Sequence, residues 1–271
     1  MLINCVQILN PSKSPKITTF APEMSIFRFI WAVYGMLLFL IMMLLSIPYI
    51  LANMTFVQGK QALRRNIWYL HHPFSKIFFT LTGIRVKAHG LDRFDPKQSY
   101  VIVGNHNTAI DFVADAVVFP GIFRFLAKEE LKKVPIFGWV VSKMCLTVDR
   151  KSAISRARSV IALKKEVEEG VSVFIYPEGS RNKTNDPIAE FYDGAFKIAV
   201  QMGTPILPMT IVNISDICRP GKIDLCPGTL HIVYDAPIPT KDLKNEDVAA
   251  LKEQVRNTMI AHLQYRSPNL A

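Results

Sequence analysis

A histidine and an aspartate five positions apart lie between two apolar runs, in Val101-Ile102-Val103-Gly104-Asn105-His106-Asn107-Thr108-Ala109-Ile110-Asp111. The chemistry this permits is general-base catalysis. A neutral imidazole takes a proton from an alcohol, and a carboxylate behind it fixes the tautomer and stabilises the imidazolium that forms. The first apolar run reads as a buried strand. Asp111 opens what reads as a helix, where a negative charge suits the positive end of the helix dipole. A His-x4-Asp pair also arises by chance in a chain of this composition, so its neighbours in the sequence must carry the case.

Those neighbours are present. Val173-Phe174-Ile175-Tyr176-Pro177-Glu178-Gly179-Ser180-Arg181 is a second apolar strand running into a tight polar turn. Met144 to Arg150 ends in Asp149-Arg150, and Gly203-Thr204-Pro205-Ile206-Leu207-Pro208 carries a Pro-x-x-Pro strand. Taken together, these segments resemble the four blocks of the glycerolipid acyltransferases, specifically the 1-acyl-glycerol-3-phosphate (lysophosphatidate) acyltransferase family. The blocks are Asn-His-x4-Asp, a block ending in Asp-Arg, Glu-Gly-Thr-Arg and Pro-x-x-Pro, and they fall here in the family's order. The resemblance covers roughly residues 80 to 240. It departs at Ser180, where the family has Thr, and in the second block, where Met144 and Thr147 replace the usual opening glycine and mid-block apolar residue.

The resemblance implies acyl transfer from a thioester to an alcohol, with His106 as the base and Asp111 as its orienting partner. No Gly-x-Ser-x-Gly elbow is present, so direct attack on the thioester is the simpler route. Arg181 offers a planar fork for the acceptor's phosphate; its alternative role is pairing with a carboxylate. Lys128 matches a family lysine and reads equally as a second phosphate contact or a solvated lysine. Arg150 matches the second-block arginine, open between acceptor binding and an internal ion pair with Asp149 or Glu178. Glu178, Gly179 and Ser180 form the turn that presents Arg181. The Gly179 N–H either faces a developing oxyanion or serves turn geometry alone. Asn105 is expected to shape its loop through side-chain to backbone hydrogen bonds. The implied acceptor is lysophosphatidate, acylated at the sn-2 hydroxyl to phosphatidate. The implied co-substrate is acyl-CoA or acyl-carrier protein, with no cofactor.

These residues need a scaffold that brings distant loops together. Strands are predicted near 85–88, 100–103, 123–127, 147–148, 171–175, 206–212 and 230–234, with helices near 111–118, 135–143, 151–169, 194–202 and 246–265. That alternation argues an α/β domain at 85–271, a largely parallel sheet flanked by helices. In such sheets ligands gather at the carboxyl ends of the strands, which puts His106 and Glu178 on one edge.

Ahead of it, Phe29 to Ala52 carries no charged residue. As a helix this stretch reaches roughly 36 Å, enough for a hydrocarbon core of about 30 Å. A second stretch at 62–84 mixes Arg64, Arg65 and Lys76 with Trp68, Tyr69, Phe74, Phe78 and Phe79, as interfacial helices do. The expectation is a flexible leader at 1–25 and a membrane anchor at 26–84, with the catalytic domain on the cytoplasmic side. The resemblance implies that this anchor is a two-helix motif.

The chain has 271 residues, is 50% hydrophobic and carries a net charge of +10. A basic balance suits nucleic acid, anionic lipid or phosphate-bearing substrates. The Lys and Arg residues are scattered and no nucleic-acid-binding motif accompanies them, so no nucleic acid is expected. Cys5, Cys145, Cys218 and Cys226 lack Cys-x2-Cys spacing, and His71, His72, His89, His231 and His262 lack ligand partners at metal spacing, so no metal site is expected. Within the same chemistry, another lysolipid or glycerol-3-phosphate could be the acceptor. Outside it stand a thioester hydrolase and a non-catalytic lipid-binding scaffold.

Overall fold

A computed structural model describes residues 22–264. Residues 1–21 of the expected leader, and Cys5 with them, lie outside the described residues.

Helix α1 (Pro22–Phe56) begins ahead of the predicted apolar stretch and outlasts it. It is long and apolar enough to cross a membrane by length and composition. Pro48 leaves the Leu44 carbonyl without its helical donor, yet the helix continues to Phe56. The stretch expected as an interfacial helix, 62–84, is helical from Gly59 to Leu81, with a π-helical turn inside it. α2 (Gly59–Tyr69) passes through a π-helical turn (Leu70–Phe74), which contains Pro73, into α3 (Ser75–Leu81). Burial divides this segment by face. Asn66, Ile67, His71, Phe74, Phe78 and Phe79 point inward, while Trp68, Ile77 and Leu81 face out.

The strands are β1 (Ile84–His89), β2 (Val101–Gly104), β3 (Phe123–Lys128), β4 (Leu146–Val148), β5 (Ser172–Ile175), β6 (Ile206–Ile211) and β7 (Gly228–Tyr234). They form one sheet in the order β1-β7-β6-β2-β5-β3-β4. All neighbours are parallel except β6 and β7. The sheet is therefore mixed, with β1 and β7 reversed relative to the other five strands. The helices that follow are α4 (Asp111–Val118), α5 (Phe137–Met144), α6 (Ala153–Glu168), α7 (Gly194–Met202), α8 (Ile214–Ile217) and α9 (Val248–Gln264).

β2 and β5 are buried along their whole length, as strands covered on both faces must be. One core layer joins Tyr100, Ile102, Phe119, Phe123, Phe174 and Tyr234 with α4, α3 and the inner face of α1; the other joins Val101, Val103, Val173 and Ile206 with α7 and α9. The first layer makes the apolar N-terminal helix and the sheet share one core. Arg28 reinforces that junction, because its guanidinium is buried against Asp224, with Nε donating to Oδ2 at 2.9 Å.

Candidate active site

The four parallel strands β2, β5, β3 and β4 are neighbours, and each ends at a residue singled out by the sequence. His106 follows β2, Glu178 to Arg181 follow β5, Lys128 ends β3 and Arg150 follows β4. Parallel pairing puts all four carboxyl ends on one edge.

The His–Asp pair is built by the start of α4. His106 Nδ1 lies 3.0 Å from Asp111 Oδ2. The same oxygen accepts the backbone N–H groups of Asn107 (2.6 Å) and Thr108 (2.8 Å), and the Thr108 hydroxyl donates to Oδ1 at 2.5 Å. Asp111 is wholly buried, whereas the imidazole is partly open. A carboxylate held by four donors has one orientation, and so does the Nδ1 edge of the ring it faces. With the Nδ1 proton given to Asp111, Nε2 is the nitrogen left to accept a proton from a substrate hydroxyl. Thr108 was not singled out in the sequence, although Thr108-x-x-Asp111 ahead of an apolar run has the capping-box spacing.

The motif of β5 is fastened to this pair by backbone bonds. The His106 N–H donates to Glu178 Oε1 at 2.6 Å, and the Asn182 N–H donates to the His106 carbonyl at 2.7 Å. The loop after β5 thus grips the backbone of His106 from both sides, and Arg181 is the residue next to Asn182. Glu178 Oε2 also accepts the Ala189 N–H at 2.9 Å. Glu178 is therefore a lock between loops; its recorded partners do not include Arg181. Burial pushes its pKa up to about 7, against the two backbone bonds that favour the anion.

Gly179 sits at φ +73°, and its N–H donates to the Tyr176 carbonyl at 3.1 Å. That N–H is engaged in the turn, so turn geometry accounts for the glycine. Arg150 donates to the Gly179 carbonyl, which makes it a brace for the turn; its ion pair with Asp149 or Glu178 is not formed. Lys128 is half-exposed and paired with Glu130 Oε1 at 3.1 Å. Ser180 and Arg181 are exposed. Among the described residues no hydrogen bond or ion pair engages the Arg181 guanidinium. An open cavity of about 510 Å³ lies in front of it, lined by Glu178, Ser180, Arg181, Lys183, Tyr192 and Lys252. The Asn105 side chain clamps β6, accepting from the Ile211 N–H at 2.8 Å and donating to its carbonyl at 3.1 Å.

On the other side of Asp111, Phe112 lines an apolar cavity of about 90 Å³ with Phe39, Phe74, Phe125, Phe137 and Met144. Its walls come from α1, the π-helical turn, β3, α4 and α5. Among the described residues no three His, Cys, Asp or Glu side chains converge as a metal site requires.

The class this layout defines is the acyltransferase domain, and residues 85–212 match the family model described as Acyltransferase. A sheep 1-acyl-sn-glycerol-3-phosphate acyltransferase alpha is 34% identical over 66% of this chain and 63% of its own length. The beta form from Homo sapiens is 30% identical over 69% of this chain and 67% of its own. The chain thus spans just under two thirds of the length of the sheep relative. The crystal structure of the 1-acyl-sn-glycerophosphate (LPA) acyltransferase PlsC from Thermotoga maritima shares the fold, with a TM-score of 0.76 over 91% of this chain and 98% of that one, at 20% identity. The chain belongs to the acyltransferase family that contains these 1-acyl-sn-glycerol-3-phosphate acyltransferases.

Proposed function

We propose that this protein transfers an acyl chain from a thioester to the sn-2 hydroxyl of 1-acyl-glycerol-3-phosphate, forming phosphatidate. The observation that carries the reading is the backbone bond from Asn182 to the His106 carbonyl. It ties a base with a fixed tautomer to a loop whose arginine, Arg181, has no hydrogen-bond or ion-pair partner among the described residues.

His106 Nε2 takes the proton of the acceptor hydroxyl as that oxygen attacks the thioester carbonyl. The carbon–oxygen bond forms, the carbon–sulfur bond breaks, and the imidazolium returns its proton to the departing thiolate. Asp111 balances the imidazolium throughout. Arg181 holds the acceptor's phosphate, since a free guanidinium gives a dianion two parallel charge-assisted bonds. Arg150 contributes by bracing the turn, and Lys128 reaches an acceptor phosphate only by leaving its exposed pair with Glu130, a pair weak enough to exchange. The apolar cavity beside Phe112 is the route for the acyl chain. It is small, so its lining rings swing aside as a long chain enters.

The donor is acyl-CoA or acyl-carrier protein. Helix α1 carries the protein on a membrane. One face packs on the domain from Arg28 to Ile50, while Ile26, Phe29, Ile30, Leu37, Ile41, Leu45 and Phe56 point outward. A helix seated against the domain along that length, with an apolar outer face, lies within one leaflet and sets the active site at the headgroups. Lys60, Arg64, Arg65 and Lys76 suit the anionic headgroups of a cytoplasmic leaflet.

The test is a panel of acceptors with a radiolabelled acyl thioester: lysophosphatidate, lysophospholipids, a lyso-aminolipid, glycerol-3-phosphate and water alone. Label should enter phosphatidate with lysophosphatidate, and His106→Ala should abolish it. Transfer to a phosphate-free acceptor at equal rate would sink the phosphate role of Arg181. Thioester cleavage without transfer would make the protein a hydrolase.

A further inference from the structure

Beneath the imidazole lies a buried carboxyl–phenol pair in a mainly apolar layer. Helix α4 carries a second carboxyl, Asp115, one turn beyond Asp111 and wholly buried. Tyr176, just past the end of β5, donates its hydroxyl to Asp115 Oδ2 at 2.5 Å. The tyrosine ring lies flat against His106, with centroids 4.1 Å and planes 17° apart. Phe125 stacks with the same tyrosine at 6.2 Å and 18°. Asp115 Oδ1 has no hydrogen-bond partner among the described residues.

Acyl transfer has no evident use for this second carboxyl, which is sealed away from any substrate. An apolar side chain at position 115 would suit the buried face of α4 better, because a buried polar group is costly unless it is bonded. The recorded bond of Asp115 goes to the ring that touches the base. Asp111 grips the imidazole at one edge, and a single edge contact leaves the ring free to tilt about it. A face contact removes that freedom, and small misplacements of a reacting group are expensive in rate.

We propose that Tyr176 and Asp115 are positioning residues for His106: the carboxyl tethers the phenol, and the phenol fixes the plane of the imidazole. The proposal rests on the reading of His106 as the base. Burial, with the Asp111 charge adding to it, drives the Asp115 carboxyl well above the usual carboxylate range, and the Tyr176 bond only partly opposes this. That direction favours the neutral carboxyl, which tethers the phenol without adding a second anion beside the base. The other titratable groups around this cluster are Asp111 on α4, Glu178 after β5, Tyr234 on β7 and Cys218 after α8. Tyr176 and Tyr234 are held as phenols by the same burial.

The experiment uses the full chain in mixed micelles. It measures kcat, KM for lysophosphatidate, the pH profile of kcat/KM and the folded fraction. Tyr176→Leu is expected to lower kcat about 10–100-fold with KM nearly unchanged. It should also move the acid limb to lower pH, because an aromatic face favours the imidazolium. Tyr176→Phe keeps the stack and loses the tether, so its loss is smaller. Asp115→Leu should resemble Tyr176→Phe. Asp115→Asn, which still accepts from the phenol, should recover most of that loss with the acid limb where the wild type has it. Wild-type kcat in Tyr176→Leu overturns the proposal, as does a kcat loss that vanishes when rates are expressed per folded molecule. An acid limb moved down by half a pH unit or more in Asp115→Asn overturns the neutral tether. Retained turnover in His106→Ala, run alongside, rejects the base itself and so separates that failure from this one.

Discussion

Asp111 receives four donors on two oxygens, and this sets what its replacement does. In Asp111→Asn one acceptor oxygen becomes an NH2 that faces donors, so buried N–H or O–H groups lose their partner. Each such loss costs about 1–3 kcal/mol. The imidazole also loses the carboxylate that selects its tautomer. The expected result is a fall in kcat of at least about 10²-fold with KM for the acceptor little changed, together with a lower urea midpoint. An enzyme with wild-type kcat would show that the carboxylate does not serve the base. Glu178 makes a separate prediction in pH. Its folded pKa, about 7, lies above the ordinary 4.5, so the folded state holds a proton that the unfolded state has released between those values. This group's contribution is therefore fully present below about pH 4.5 and is lost as pH rises through about 7. Wild-type stability should decline across that window relative to Glu178→Gln, by a few kcal/mol at most. Urea unfolding at pH 5, 6, 7 and 8 reads the difference.

The turn after β5 works as an element because its glycine has no side chain. At φ +73° an added Cβ is strained, and it would meet Arg150 Nη1 and the Tyr192 ring, each at 2.9 Å. Gly179→Ala should therefore cost about 1–3 kcal/mol locally. The strain is relieved by pushing Arg150 off its brace or by shifting the turn, and either displaces Arg181. The expected signature is a raised KM for lysophosphatidate with a smaller effect on kcat, the reverse of the Asp111 variant. Arg150→Ala should show a milder version of the same split, since it removes the brace and leaves the turn's backbone unstrained. If Arg150→Ala alters kcat and leaves KM alone, the bracing role is wrong.

At the scale of the whole molecule, the N-terminal helix and the sheet form one body, and the Arg28–Asp224 pair, which Arg219 also joins, is the charged part of the joint. The Arg28 and Asp224 side chains are nearly inaccessible, at 6% and 2%. Removing one partner strands a buried charge, which costs about 3–5 kcal/mol. Asp224→Ala should loosen α1 from the domain. Hydrogen exchange should then rise along α1 and in 214–226, with the sheet protected as before; uniform exposure of the sheet would argue against a local joint. The apolar cavity bordered by α1, α4 and α5 makes the other prediction. Ala116→Phe places a ring in that space and should shift donor preference toward shorter chains, read from the product chain-length profile. An unchanged profile would put the acyl route elsewhere.

What the sequence determined alone was local. Strand-length apolar runs, the helix-opening Asp111, the tight Glu178-Gly179 turn and the long uncharged stretch at 29–52 each follow from a few neighbouring side chains, and every predicted strand is present within a residue or two. The His106–Asp111 pair was legible because its two members are close enough in the chain for one loop and one helix start to join them. What only the tertiary structure decided was everything that depends on which strands are neighbours. The reversal of β1 and β7, the conversion of Glu178 and Arg150 into a lock and a brace, and the meeting of Tyr176 with Asp115 across 61 positions all belong here. Periodicity reports which face of an element is buried. It does not report what that face is buried against, and a polar side chain's role is set by the partner it finds there.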